Sequence, residues 1–204
     1  MTWRKRIFDL FFASLLVFIL GPVILWLIWK IWREQGRPIF YAAERMKTPD
    51  TPFLLWKFRT MTVVEEDSGV SGAHKAARVT PTGAWLRRKR LDEFPQLWNI
   101  LKGDLSFVGP RPPLREYVER FPDIYQEVLK SRPGVTGLAT IVYHKHEDRL
   151  LARCSTPEET DGVYCRRCIP TKARLDLIYQ RHQSTCYDFD IVFQTIGNLF
   201  RRRG

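Results

Sequence analysis

The sequence predicts a mostly helical α/β protein with two parts, an apolar amino-terminal membrane segment and a basic, polar domain. Leu10–Trp29 contains no charged residue, whereas the remainder of the chain is rich in Lys and Arg. Runs typical of strands occur between residues 36 and 61, and helical patterns dominate further along. A chain of 204 residues with this pattern fits one compact domain and one appendage.

The apolar run has the length that crosses a bilayer core of about 30 Å. It is too long for the core of a signal peptide, and no small-residue cleavage site follows it. Gly21-Pro22 lies near its middle, where proline removes a helical hydrogen bond and its ring clashes with the preceding turn. We therefore expect a membrane segment broken into two half-helices, each too short to cross.

Positive charge flanks this run on both sides, with Arg4, Lys5 and Arg6 before it and Lys30 and Arg33 after it. Because positive charge marks the cytoplasmic side, both ends favour the same face, which indicates a re-entrant hairpin. A kinked single-pass anchor is an equal alternative, since prolines are tolerated in spanning helices. A buried core helix fits poorly, because no polar face interrupts the run.

The segment after the apolar run predicts two short strands. Pro38–Tyr41 and Phe53–Phe58 are separated by a polar turn around Pro49. Small and acidic residues follow at 65–73, and we expect that stretch to be flexible.

Helices account for most of the remaining chain. Thr82 is a good N-cap for a helix that covers Ala84 to about Arg90. Pro95 starts a second helix, since proline is favoured in a first turn, and its apolar stripe is formed by Leu97, Trp98 and Leu101. Three longer helical patterns follow, at 114–130, 170–182 and 188–200.

Two adjacent carboxylates, Asp92 and Glu93, fall at the start of the helix that Pro95 begins. Free backbone N–H groups and the helix dipole favour anions there. The basic run 87–90 comes just before, so a phosphate would meet cations and N–H donors together. Taken alone, the pair is better explained as capping residues beside a solvated basic face.

Two segments rich in Gly and Pro each carry an arginine. Val108–Pro112 holds Arg111, and Arg132–Gly137 begins with Arg132. A guanidinium on a rigid loop suits bidentate recognition of phosphate or carboxylate. A structural turn explains the glycines equally well, and neither segment matches a Walker or dinucleotide fingerprint.

Four blocks, taken in order, resemble the bacterial sugar transferase family, the monotopic phosphoglycosyl transferases. They are Lys57–Met61, Leu91–Leu97, Val108–Pro112 and Arg132–Gly137. Each block is a weak signal, but the ordered set is highly specific, and the likeness covers nearly the whole chain. Relatives commonly carry Ala-Gln where this chain has Ala139-Thr140, a difference that bears on sugar recognition more than on phosphoryl chemistry.

The resemblance implies transfer of a sugar-1-phosphate from a UDP-sugar to polyprenyl (undecaprenyl) phosphate, with release of UMP. It implies a covalent phosphosugar intermediate on Asp92, and Mg²⁺ held by Glu93 and Asp92. Cations are needed near the Asp92–Glu93 pair, called the dyad below, because they mask the negative charge of the diphosphate. The candidate substrate-binding residues are Lys57, Arg59, Arg87, Arg88, Arg111 and Arg132.

The resemblance also implies a location and an organisation. It favours the re-entrant hairpin, at residues 1–33, over the single-pass anchor, and it makes residues 34–204 the catalytic domain. That domain is expected on the cytoplasmic face of the bacterial inner membrane, in the first membrane step of glycoconjugate synthesis. O-antigen, capsule, exopolysaccharide and glycoprotein glycans all remain open as products, as does the identity of the sugar.

The charge balance supports anionic partners, since the chain has a formal net charge of +11 and a pI near 9.8. The rival interpretation is a membrane-tethered nucleic-acid-binding protein. It predicts aromatic residues interleaved with basic ones, yet the run 87–90 leads straight into two carboxylates. We therefore expect UDP-sugar, undecaprenyl phosphate and membrane lipids as partners and no nucleic acid, with homo-oligomer formation left open.

Three other features carry weaker interpretations. Cys165 and Cys168 have the spacing of half a zinc site, but the gaps of 10 and 17 residues to Cys154 and Cys186 match no zinc pattern, so we expect reduced thiols. Residues 144–147 are interpreted as an exposed loop or strand. The basic tail at 201–203 is expected to contact anionic lipid.

Overall fold

The computed structural model describes residues 2–62 and 78–201, with side chains described as far as residue 198. The stretch at 65–73, expected to be flexible, lies outside the described residues, as do the side chains of the basic tail. The described chain is mostly helical with two small sheets, which confirms the α/β, mostly helical class.

A single helix, α1 (Trp3–Gln35), contains the whole apolar run and has Pro22 inside it. The expected break into two half-helices is therefore wrong for this segment. Pro22 removes one backbone hydrogen bond, but Leu20 and Ile24 on either side of it pack on the same hydrophobic cluster. That shared support keeps the helix continuous across the proline.

One face of α1 packs on the domain along its whole length, and the other is exposed. Its most apolar 18 residues have a mean hydropathy of 2.6, and 11% of them are buried. By length and composition alone, this helix could cross a membrane. The buried residues recur at helical spacing: Lys5, Asp9, Ala13, Leu27 and Ile31.

Strands β1 (Phe40–Met46) and β2 (Pro52–Phe58) form an antiparallel hairpin, with Phe40 opposite Phe58. Both predicted strands are confirmed, although the first begins and ends later than expected. Alternate residues of β2 point inward, so Phe53 and Leu55 pack against α1. Phe58 joins a neighbouring cluster with residues of the second half of α1.

Helix α2 (Pro81–Arg88) and helix α3 (Gln96–Lys102) enclose a short 3₁₀ turn, Leu91–Glu93. The predicted N-cap of α2 is wrong by two residues. Thr80 caps the helix by accepting from the Gly83 N–H at 2.9 Å, because Pro81 fills the first helical position. The hydroxyl of Thr82 instead bonds Glu34 of α1.

The predicted stripe of α3 is partly wrong. Leu97 and Ile100 are buried and Leu101 packs beside them, whereas Trp98 is 62% exposed. The helix is short and begins only after Pro95, so Trp98 falls on its outer face.

The predicted helix at 114–130 is interrupted. It consists of α4 (Arg115–Arg120) and α5 (Pro122–Val128), and the break at Phe121 (φ −132°) arises where Pro122 starts a new helix. Residues 144–147, expected as a loop or strand, lie instead in helix α6 (Leu138–Leu151).

The carboxyl-terminal elements follow the predictions more closely. After α7 (Pro157–Val163) and a π-helical turn (Tyr164–Cys168) come α8 (Ile169–Arg181) and α9 (Thr185–Arg201). The last two helices were both expected from the sequence, within a few residues of their bounds.

Strands β3 (Ser106–Val108) and β4 (Gly134–Thr136) pair in parallel and fix the loop that follows β3. A Cβ on Gly134 would lie 2.2 Å from the amide nitrogen of Gly109, so only glycine allows this approach. Gly134 N also donates to Pro110 O at 2.8 Å. The backbone that leads to Arg111 is therefore held tightly.

Both ends of α1 are bound to this one domain. At the start, the Lys5 ammonium lies 2.6 Å from Asp188 of α9, and Arg6 donates to the carbonyl of Ile100 at 2.7 Å. At the end, Arg59 donates to the carbonyl of Gln35 at 2.5 Å. A helix of 33 residues is about 50 Å long, so the domain extends alongside α1 rather than lying at one tip.

Candidate active site

The carboxylates of Asp92 and Glu93 lie in the 3₁₀ turn between α2 and α3. Arg90, just before them, has φ 58° and is the one non-glycine residue with a left-handed backbone among those described. Such a conformation costs about 1–2 kcal/mol. This backbone conformation turns the chain sharply after α2, and Asp92 and Glu93 follow in the 3₁₀ turn.

Asp92 is buried, with 8% of its surface exposed. Burial raises the pKa of its carboxyl above the ordinary value, the neighbouring charge of Glu93 adds to the rise, and Lys57 and Arg87 partly offset it. Arg87 is oriented by donating from Nε to the hydroxyl of Thr60 at 2.9 Å. Asp92 is thus a poorly hydrated carboxyl with two cations within electrostatic reach.

Glu93 is surrounded by three cations. Its carboxylate lies 3.1 Å from Lys57 Nζ, 3.8 Å from an Arg90 nitrogen and 4.0 Å from an Arg111 nitrogen. Burial favours the neutral acid, but these cations outweigh it and hold the pKa of Glu93 below its ordinary value. Glu93 is therefore ionised at neutral pH.

Three of the six cations predicted from the sequence meet at this pair. Lys57 arrives on β2, which packs on the 3₁₀ turn. Arg87 arrives on α2, and Arg111 arrives on the loop that the β3–β4 pair fixes. Arg88 follows Arg87 in the last turn of α2, with an exposed side chain.

The structure places the other two cations elsewhere. Arg59 donates to the carbonyls of Gln35 and Gly36 at the carboxyl end of α1, at 2.5 and 3.0 Å. Arg132 lies beside Arg6, and burial together with that like charge lowers its pKa. Both side chains contact groups other than Asp92 and Glu93, and their role in substrate binding stays a prediction.

Sequence reasoning missed two cations that complete the cluster. Arg90 belongs to the noted basic run but was not singled out, and its ion pair with Glu93 depends on its left-handed backbone. Arg45 of β1 is half-buried beside Arg111, and burial followed by this like charge lowers its pKa. No sequence signal marks Arg45, because its neighbourhood depends on how β1 meets the Arg111 loop.

A cavity of about 370 Å³ opens beside the dyad. Its lining includes Arg45, Arg90 and Arg111, the last two of which also approach Glu93. It extends between α6 and α8, where its lining includes Lys172 and Asp176. This volume falls in the range of about 300–1,000 Å³ typical of small-molecule sites.

The dyad fits a divalent cation completed by substrate. Mg²⁺ takes oxygen ligands and is commonly held by one or two carboxylates together with substrate phosphates and water. Within residues 2–62 and 78–201, no group of three or more His, Cys, Asp or Glu side chains converges. Two adjacent carboxyls therefore suit a site shared with substrate better than a closed protein cage.

The cysteines lie apart from this site. Cys165 and Cys168 are buried in the π-helical turn, Cys154 is half-buried and Cys186 is exposed, and all four are free. Burial is the main factor that raises the pKa of both Cys165 and Cys168. Burial thus favours the neutral thiol at both positions.

The chain belongs to the bacterial sugar transferase family, whose model matches residues 1–202. It is 32% identical over 200 residues to the UDP-glucose:undecaprenyl-phosphate glucose-1-phosphate transferase of Klebsiella pneumoniae, a match covering 96% of this chain and 40% of that protein. It is 31% identical to the exopolysaccharide production protein ExoY of Sinorhizobium fredii, covering 98% of this chain and 87% of that protein.

A shorter match is closer in sequence. The putative undecaprenyl-phosphate N-acetylgalactosaminyl 1-phosphate transferase of Bacillus subtilis is 42% identical over 118 residues, which cover 57% of this chain and 66% of that protein. The chain thus spans only part of several of these relatives, and 40% of the Klebsiella protein. The family resemblance found in the sequence blocks is confirmed.

Proposed function

We propose that this protein is a phosphoglycosyl transferase that moves a sugar-1-phosphate from a UDP-sugar to undecaprenyl phosphate and releases UMP. One observation carries the proposal: buried Asp92 and half-buried Glu93 lie among Lys57, Arg87 and Arg111, in a chain of the bacterial sugar transferase family. The relative from Klebsiella is named for a UDP-sugar donor and an undecaprenyl phosphate acceptor, and the relative from B. subtilis is named for the same acceptor.

The chemistry proceeds in two balanced displacements. Asp92 attacks the β-phosphorus of the UDP-sugar, so that an Asp92 Oδ–P bond forms and the bond to the bridging oxygen breaks, with UMP leaving on that oxygen. An oxygen of undecaprenyl phosphate then attacks the same phosphorus and displaces the Asp92 carboxylate. The product is undecaprenyl diphosphate sugar, and Asp92 is regenerated.

The residues around the dyad lower the electrostatic barrier to both steps. A carboxylate cannot approach a diphosphate unless the negative charge is masked. Lys57, Arg87 and Arg111 are fixed by the fold before substrate arrives, so they need little reorganisation. Burial leaves Asp92 weakly hydrated, which favours its attack once the cations hold it in the ionised form.

Glu93 and Asp92 are the residues that would hold Mg²⁺. When bound there, the ion neutralises phosphate charge and stabilises UMP as a leaving group. The low pKa of Glu93 keeps an ionised oxygen ligand available at neutral pH. Lys57, Arg90 and Arg111 neutralise Glu93 in the free protein.

The metal requirement gives a direct prediction. Activity is expected to vanish in EDTA and to return with Mg²⁺ or Mn²⁺, because both prefer oxygen ligands. Glu93→Gln should raise the Mg²⁺ concentration needed for half-maximal UMP release by at least about tenfold. Changing a group that holds or supports a metal typically costs that much in metal affinity. Exposed Glu158→Gln on α7 serves as the control. Full activity of the wild-type protein in EDTA would remove the metal role.

We further propose that both ends of α1 lie at the same leaflet of the inner membrane, with the domain on the cytoplasmic face. Contacts at both ends of α1 support this, through Lys5 with Asp188 and Arg59 with Gln35. A spanning helix would place those ends on opposite sides of a core about 30 Å thick, and one polar domain could then not bind both. The positive flanks favour the cytoplasmic side.

The activity itself is tested by a panel of UDP-sugars with undecaprenyl phosphate. The full chain, purified in detergent, should release UMP from at least one UDP-sugar. Continuous release should require undecaprenyl phosphate as the acceptor. Filter binding to RNA, run in parallel, tests the rival class. RNA binding without UMP release from any donor would refute the transferase proposal.

A further inference from the structure

We propose that the cavity beside the dyad binds the UMP half of the donor and that Asp176 accepts a hydrogen bond from the ribose. The proposal rests on the transferase function above and assigns a specificity residue for the same substrate. It depends on three observations: an unpartnered carboxyl oxygen, the composition of the cavity, and the position of the cavity relative to Asp92.

The carboxyl of Asp176 is buried, and one of its oxygens lacks a hydrogen-bond partner. Only 8% of the residue is exposed, and its Oδ1 finds no hydrogen-bond partner among the described residues. Leaving such an acceptor unsatisfied costs free energy, so native structures rarely keep one without a reason. Asp176 lines the cavity, so a ligand there can supply the missing donor.

The nearest cation is engaged elsewhere. Lys172, one turn earlier on α8, donates to Glu147 at 2.9 Å and to the hydroxyl of Tyr164 at 3.3 Å. These bonds join α6, α8 and the π-helical turn into a fixed wall. Lys172 is therefore already paired, and Asp176 Oδ1 remains an acceptor without a partner in the cavity wall.

The cavity walls suit a nucleoside. Tyr117 and Tyr125 contribute aromatic surface on which a base can pack. Carboxyl oxygens are the acceptors that commonly bind ribose hydroxyls, as in dinucleotide-binding folds. The lining also carries Arg45 and Arg111, two guanidiniums close enough to repel each other, and a phosphate between them would relieve that repulsion.

The direction of the reaction places UMP, rather than the sugar, in this cavity. In phosphoryl transfer the attacking and leaving oxygens lie roughly in line on opposite sides of phosphorus. The cations near Asp92 are Lys57 and Arg87, whereas Arg90 and Arg111 line the cavity. Asp92 and its two cations thus form the attacking side of this arrangement, and the arginines of the cavity are the cations left for the UMP that departs on the other side.

The test measures binding without turnover, using the full chain in detergent with Mg²⁺. Calorimetry gives the Kd of UMP and of 2′,3′-dideoxyuridine monophosphate, which lacks both ribose hydroxyls. Wild-type protein should prefer UMP by about tenfold, the ratio expected for one hydrogen bond to a charged acceptor. Asp176→Leu, similar in size and without an acceptor, should bind the two nucleotides equally.

Two further variants separate recognition from folding. Asp176→Asn keeps one acceptor oxygen, so it should restore part of the preference for UMP. Asp123→Leu, at an exposed aspartate of α5, should retain the full preference. A wild-type melting transition for Asp176→Leu excludes misfolding, and the Asp176→Asn result decides the matter if that variant is unstable.

The outcomes distinguish this assignment from the transferase proposal. An unchanged preference for UMP in Asp176→Leu overturns the role of Asp176. Weaker binding of UDP-sugar with an unchanged UMP Kd would place the sugar in the cavity and also overturn it. A wild-type protein that releases UMP in turnover but fails either test keeps its function and loses this assignment, whereas the absence of UMP release in the wild type defeats the function itself.

Discussion

At the scale of single residues, two adjacent carboxyls have opposite pKa shifts. The pKa of Asp92 is raised, first by burial and then by Glu93, while Lys57 and other cations lower that of Glu93 despite its burial. Carboxyls whose environments push their pKa values apart take different roles in catalysis. Glu93 suits a permanently ionised ligand, and Asp92 suits a weakly hydrated nucleophile.

This division predicts the effect of Asp92→Asn. Asparagine keeps the size of the side chain and its place in the turn, but it cannot form the acyl phosphate, so turnover should fall by several orders of magnitude. The melting temperature and membrane association should stay near those of the wild type. Incubation with UDP-sugar alone should leave a phosphosugar adduct on wild-type protein, visible by intact mass, and none on the variant.

The control for this experiment is Asp190→Asn, at an aspartate that bonds Gln194 on the outside of α9. It should form the adduct like the wild type. An active Asp92→Asn variant, or an adduct that maps to a different residue, would mean that Asp92 is not the nucleophile.

Asp176 gives a pH-dependent prediction at the same scale. Burial raises its pKa from 3.8 to about 7, and Lys172 only partly opposes this rise. Tyr125 of α5 and Lys172 of α8 interact with it electrostatically, and Lys172 is itself paired with Glu147 of α6. Because the folded pKa is the higher one, Asp176 stabilises the fold below about pH 4 and loses that contribution as pH rises through about 7.

Thermal unfolding between pH 5.5 and 8 measures this effect without ligand. The melting temperature of wild-type protein should fall over that range by at least about 2 °C more than that of Asp176→Asn, which cannot ionise. Equal pH dependence in the two proteins would show that Asp176 is ionised throughout the folded state. Burial of this acid is thus a stability cost, as expected for a residue kept for binding.

At the scale of elements, the sequence predicts those whose signal is local. The hairpin β1–β2 and helices α8 and α9 follow from periodicity and turn residues alone. Helix α6 does not, because β-branched Ile141 and Val142 and the polar run after them mask its period. The continuity of α1 depends on packing against the domain, which Gly21-Pro22 taken alone does not reveal.

Some residues of the candidate site can be recognised from the sequence, and others only from the fold. The adjacency of Asp92 and Glu93 is visible in the sequence, and the resemblance selects them. Arg45, Lys172 and Asp176 become neighbours of the site only when β1, α6 and α8 assemble around one cavity. No local pattern encodes such a meeting, so these residues could not be found before the fold.

Arg59 and Arg111 provide a prediction about elements. Arg59 closes the carboxyl end of α1 through two backbone carbonyls, so Arg59→Ala should lower the stability of the fold by about 1–3 kcal/mol and leave the KM for UDP-sugar nearly unchanged. Arg111 faces the dyad from an exposed loop, so Arg111→Ala should raise that KM or lower kcat at nearly unchanged stability. Chemical denaturation and steady-state kinetics measure both.

The opposite result for Arg59→Ala, a changed KM at unchanged stability, would assign Arg59 to the substrate site. Lys102→Ala, at an exposed cation of α3, is the matched control and should change neither quantity appreciably. A raised KM with unchanged stability in Arg59→Ala would favour the role that sequence reasoning gave it.

At the scale of the whole molecule, α1 and α9 share an exposed apolar surface. Phe8 and Phe12 of α1 contact Phe189 of α9, with ring centroids 4.9 and 5.7 Å apart. Phe193 and Ile196 continue the exposed apolar surface along α9. An apolar surface of this extent suits a membrane, and it joins the first and last described helices on one side of the domain.

The same arrangement predicts the topology of α1. Because the domain binds both ends of the helix, a cysteine at position 2 and the carboxyl terminus should lie on one side of the membrane. In a chain with Cys154, Cys165, Cys168 and Cys186 replaced by alanine, Thr2→Cys should resist a membrane-impermeant maleimide in intact cells and react after permeabilisation. Periplasmic labelling of Thr2→Cys, together with a cytoplasmic carboxyl terminus, would establish a single-pass anchor. That result would also require the bonds of Lys5 or of Arg59 to be broken in the membrane, since one domain cannot hold both ends across a bilayer core of about 30 Å.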